Sequence, residues 1–169
     1  VVSSVSLHQR VDSDHQLARL LQIGVVLEEV VEARAYHHYQ SLSADERELD
    51  TELESLLAEA AEESAEHRTR LEALVDQLDA DSVPFEDIET LVTERYGRTK
   101  PEDFDGVLYD QLCNEETAYK FYDDLIEAIE GSDAVFSLDR DRLLRTLASI
   151  RDDEASGVER VTRIMEERD

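Results

Sequence analysis

"LEEVVEARAYHHYQSL", residues Leu27–Leu42, is made of helix-favouring residues, yet it sets carboxylates on the face that a helix would bury. Steps of four and three from Leu21 pass through Val25, Glu28, Glu32, Ala35, Tyr39 and Leu42. That is one stripe of a helix, and its middle is charged.

Outward from this stretch, the pattern predicts a helix from about Asp14 to about Leu42, with capping chemistry in Ser13–Gln16. Residues 1–13 carry little periodic signal and read as an N-terminal arm. "SLSADEREL" punctuates the chain and opens a second helix, from about Ala44 or Asp45 to Leu78, along the stripe Leu49, Leu53, Leu56, Ala60, Ser64, His67, Leu71, Leu74, Leu78. Each of these helices is about 30 residues long, roughly 45 Å. "DADSVP" ends the second, and "FEDIETLVTERYG" predicts a short helix closed by Gly97. A third long helix runs from Phe104 to Glu130 through Leu108, Gln111, Glu115, Ala118, Tyr122, Leu125 and Ile129, and Gly131 stops it. The fourth runs from about Arg140 to Glu167 through Leu143, Leu147, Ile150, Glu154, Gly157, Val161 and Ile164. Two long helices, a connection holding a short one, and two more long helices predict an all-α four-helix bundle with a long crossover, forming a single domain over residues 14–169.

The halves repeat. Glu32-x-x-Ala35-x-x-x-Tyr39 recurs as Glu115-x-x-Ala118-x-x-x-Tyr122, and the spacing of apolar residues pairs Ser64 with Glu154 and His67 with Gly157. Each long helix thus carries polar residues at one level of an apolar stripe. An unpaired buried carboxylate costs several kcal/mol, so this level calls for a cation or for a hydrogen-bonded network with shared protons.

Composition narrows the setting. A net charge of -26 on 169 residues is strong self-repulsion that salt has to screen. Lysine occurs only at positions 100 and 120, and the other 15 of the 17 basic residues are arginine, a balance that resembles cytosolic proteins of salt-accumulating archaea. Such acidity argues against nucleic acid and anionic membranes as partners. The lone Cys113 excludes an internal disulfide and reads as a packing residue. No segment approaches a membrane span and the first residues lack the apolar run of a signal peptide, so a soluble cytoplasmic protein is expected.

"EARAYHHYQSL" and "EETAYKFYDDLIEAIE" resemble the Glu-x-x-Ala-x-x-x-Tyr helices of the ferritin-like superfamily, in its rubrerythrin-like branch. "AEESAEHRTRLEAL" and "IRDDEASGVERVTRIM" resemble its Glu-x-x-His helices. The resemblance covers residues 14–167 and implies a ferritin-like bundle binding nonheme iron, with Mn or Zn as other metals suited to the same donors. It implies Glu32, His67, Glu115 and Glu154 as ligands, with Tyr39 and Tyr122 around them. The sequence departs from the pattern at Ser64, where a bridging Glu belongs, and at Gly157, where a second His belongs. Glu63 and Glu28 are the candidate substitutes, and Asp153 a marginal one. The activity implied is that of a nonheme iron oxidoreductase acting on peroxide or oxygen, served by an electron-donor protein because the chain has no four-cysteine iron site. The alternative is a metal-free helical module, its centre held by a carboxylate, histidine and tyrosine network, that forms a homodimer or binds another protein.

Overall fold

A computed structural model describes residues 11–41, 51–80 and 104–168 of the chain. Among the described residues there are four helices and no strand: α1 (Asp14–Ser41), α2 (Thr51–Asp76), α3 (Phe104–Glu130) and α4 (Arg140–Arg168). The expected short helix at 85–97 and residues 1–10 of the expected arm lie outside the described residues.

Local chemistry sets the helix ends. Ser13 Oγ accepts the amide of Gln16, and Gln16 Oε1 accepts the amide of Asp12, so both side chains satisfy donors at the start of α1. Asp14 then ties three segments together by accepting the amides of Asp79 and Ser137 and the Ser137 hydroxyl. Burial alone would raise its pKa, but these hydrogen bonds outweigh it and hold the carboxyl below its ordinary value. At the other hinge, Arg140 donates to the carbonyls of Ile129, Ser132 and Ala134, closing the end of α3. Asp139 accepts the amide of Asp141 at the start of α4.

The topology follows from four contacts. Glu28 on α1 meets Tyr122 on α3 while Arg34 meets Asp110, so these helices run antiparallel. Likewise His67 on α2 meets Asp153 on α4 while Glu59 pairs with Arg160. Helix α1 packs along α2 and α3 along α4, whereas the backbones of α2 and α3 do not approach each other among the described residues. A simple up-down-up-down bundle would make α2 and α3 antiparallel neighbours. Here they lie diagonally and parallel, so residues 77–103 join opposite ends of the bundle.

The apolar core is in two parts. One, around Leu17, Leu21, Leu71, Leu125, Leu143 and Leu147, fills the end where α1 begins. The other, around Ala35, Leu53, Leu57, Leu108, Val161 and Ile164, fills the opposite end. Between them lies a buried polar level of Glu28, Ser64, His67, Gln111, Glu115 and Glu154. Gly24 governs one approach to it: a Cβ there would stand 3.2 Å from the Phe121 ring and 3.6 Å from that of Tyr122. The bare backbone lets α3 press close enough to deliver Tyr122 to Glu28. No described helix is long and apolar enough to cross a membrane.

Candidate metal centre

His67 stands at the middle of the polar level with 1% of its side chain exposed. Its Nδ1 lies 3.3 Å from Glu28 Oε1 and 3.3 Å from Glu154 Oε1. Its Nε2 lies 2.9 Å from Asp153 Oδ2 and 3.7 Å from Glu63 Oε1. The ring therefore divides two carboxyl pairs. The Nδ1 pair is buried, and the Nε2 pair, with Asp153 46% and Glu63 39% exposed, faces outward. In the neutral ring the shorter contact is the place for the N–H, donated to Asp153, which leaves the Nδ1 lone pair directed at Glu28 and Glu154.

Glu28, His67 and Glu154 offer donor atoms all within 4.8 Å of one another, so this buried group could hold a metal ion. Two carboxylates and an imidazole suit Fe(II), Mn(II) or Zn(II). Tyr122 donates to Glu28 Oε1 at 2.7 Å, while Glu28 Oε2 is buried with no hydrogen-bond partner. An acceptor left unmade in a dry interior costs about 1–3 kcal/mol, and a cation would remove that cost. The orphaned oxygen and the donor set thus fit a bound divalent ion.

Protons hold the level together without one. Burial alone would weaken His67 as a base, but its hydrogen bonds to Glu28 and Asp153 and the charges of Glu28 and Glu63 push it up to about 9. Burial, then the Glu115 hydrogen bond and the Glu28 charge, drives Glu154 far above the carboxylate range, so it is protonated at neutral pH. Burial also raises Glu115, against the hydrogen bonds from Glu154 and Gln111. Burial first, and then Glu115, lifts Glu63 to about 7. Tyr122 stays a neutral donor because burial and the adjacent Glu28 oppose its ionisation. A metal ion would displace these protons.

The remaining expected site residues are placed as follows. Glu32 lies outside the group: its Oε2 takes a hydrogen bond of 2.6 Å from Arg68, and both side chains are about 30% exposed. Its place is taken by Glu28, one turn earlier and 0% exposed. Glu115 is buried, but it hydrogen-bonds Glu154 and accepts from Gln111 Nε2 at 2.9 Å, and it is not part of the Glu28–His67–Glu154 group. The side chain of Tyr39 lies outside the described residues. Asp153, from the sequence only a marginal candidate, lies 2.9 Å from His67 Nε2 through its Oδ2. Sequence reasoning missed the Arg34–Asp110 ion pair between α1 and α3, in which Nε and Nη2 engage the two carboxylate oxygens at 3.1 and 2.5 Å.

Comparisons of this chain with models of known protein families, with curated proteins and with solved structures found no match.

Proposed function

We propose that this protein binds a divalent transition-metal ion between Glu28, His67 and Glu154, as a ferritin-like bundle related to rubrerythrins, with iron as the metal and reduction of peroxide or oxygen as its chemistry. The observation that carries the binding reading is the convergence of three buried donor side chains, one of which, Glu28, also keeps a carboxylate oxygen with no hydrogen-bond partner. The four-helix layout and the Glu-x-x-Ala-x-x-x-Tyr repeat support the ferritin-like part.

Each of the chain's own groups has a definite task in this reading. Asp153 holds the His67 ring by its Nε2–H so that Nδ1 is free to ligate. Tyr122 fixes the Glu28 carboxylate through Oε1 and leaves Oε2 for the ion. Glu28, His67 and Glu154 would hold the ion, and iron bound there would supply one electron for each Fe(II) oxidised, the second that peroxide reduction needs coming from an electron-donor protein. Glu115, raised by burial and hydrogen-bonded to Glu154, keeps a proton within reach of the centre.

A metal-free interaction module is the second reading, favoured by the charge balance that His67 and Glu28 reach alone. Elemental analysis of protein purified in molar salt with Fe(II) supplied separates the two. Metal binding predicts iron in the wild type and in Glu32→Gln, and its loss in His67→Ala and Glu28→Gln. Metal that is absent, or equal in all four proteins, refutes it.

A further inference from the structure

We propose that the centre holds one metal ion per chain and not a pair, because the Glu115 carboxyl, admitted by the missing side chain of Gly157, occupies the space in which a second ion would need a ligand. This rests on the metal-binding reading above. A Cβ built at Gly157 would stand 2.6 Å from Cδ and Oε2 of Glu115 and 3.0 Å from its Oε1. The carboxyl therefore lies against the bare backbone of α4, where any side chain at 157 would have to be. Residue 157 is one turn beyond Glu154, on the same face of α4, so a ligand there would share its ion with Glu154.

The donors left on that side are too few. Glu115 and Glu154 are hydrogen-bonded directly to each other, so an ion between them would first have to part them. Gln111, whose Nε2 donates to Glu115, adds only an amide oxygen, and Ser64 adds only a hydroxyl. Among the described residues no imidazole reaches this half: the buried histidine presents its Nδ1 to Glu28 and Glu154 and its Nε2 to the outer pair. Among the described residues the inner side offers three ligands including a nitrogen; the outer group of Glu63, His67 and Asp153 draws on the same ring, whose neutral form lends one lone pair to one ion, and the Glu115 side offers one independent carboxylate, which is too few for a tightly held transition metal.

The test is equilibrium dialysis of the full chain against Zn(II), a redox-inert probe, in molar salt, followed by elemental analysis. The expected result is one zinc per wild-type chain. Glu115→Gln, which keeps the shape of the protonated acid, should also bind one, with affinity within about tenfold of wild type, the lower bound for disturbing a partner of a ligand. Two zinc ions in the wild type would overturn this inference and leave the proposed function standing. One in the wild type and none in a Glu115→Gln chain with wild-type circular dichroism would also overturn it, because Glu115 would then be a ligand. No zinc in the wild type would overturn the metal-binding reading itself. If Glu115→Gln does not fold, the wild-type stoichiometry alone decides.

Discussion

The hairpin of α1 and α2 and the hairpin of α3 and α4 bury matching stripes, yet they furnish the polar level with opposite chemistry. The first contributes Glu28 and His67, a carboxylate and a base 3.3 Å apart that balance each other's charge. The second contributes Gln111, Glu115 and Glu154, which are oxygen-rich, and its two acids face each other. The surplus of acid thus resides in α3 and α4, and it stays buried only because protons are retained there. A repeat in sequence has become a division of labour: one half supplies a self-neutralising pair, the other a proton-holding one.

The most damaging way to break that division is to remove the base. His67→Ala strands Glu28 in a dry interior, and denaturant unfolding of the metal-free protein should show a loss of about 3–5 kcal/mol. Raising the pH acts on the same pair without a mutation. The His67 contribution is fully present below its unfolded value of 6.5 and is lost as pH rises through about 9, an effect of about 3 kcal/mol. Glu63 adds in the same direction, since its value is raised from 4.5 to about 7 and its ionisation is penalised in the folded state. Unfolding midpoints of metal-free protein at constant salt should therefore fall steadily from pH 6 to pH 10; a flat profile would show that the first hairpin does not hold a charged pair. Tyr122→Phe, which takes from Glu28 the donor sent by the second hairpin, should cost about 1–3 kcal/mol.

Gly157 sharpens the comparison from the other half. In an ordinary helix Gly→Ala gains up to about 1 kcal/mol. Here the added methyl collides with Glu115, and overpacking costs about 1–3 kcal/mol, so Gly157→Ala should be neutral to destabilising. In a Glu115→Ala background the same change should stabilise, and a double-mutant cycle measures the difference. The smallest effect belongs to Glu32→Gln: it breaks only the partly exposed pair with Arg68, and should cost less than about 1 kcal/mol.

Much of the architecture was legible in the residues. Gly131 and Asp139 mark the ends of α3 and α4, and the stripes through Leu53, Leu71, Leu125 and Leu147 name the core. The residues of the polar level were also legible, because a charged residue in an apolar stripe is visible without coordinates. Which of them meet was less so. Glu28 and Glu32 differ by about 40° around the helix axis, and the choice between them is made by Arg68, across the interface on α2. The folding of Glu115 against Gly157 depends on a space that exists only once two helices are packed. Asp153 reads as solvated, and is so for half its surface, but its other half faces the ring of His67.

Because α2 and α3 run parallel, a cut anywhere within 77–103 would release two complete helical hairpins. Their union would then rest on side-chain complementarity, and above all on the central cluster, whose donors are split between them: Glu28 and His67 on one fragment, Glu154 on the other. A cation seated there is a clasp. It would make reassembly of the severed halves a function of free metal concentration, so the crossover chain and the ion would be alternative means of keeping the same two pieces joined.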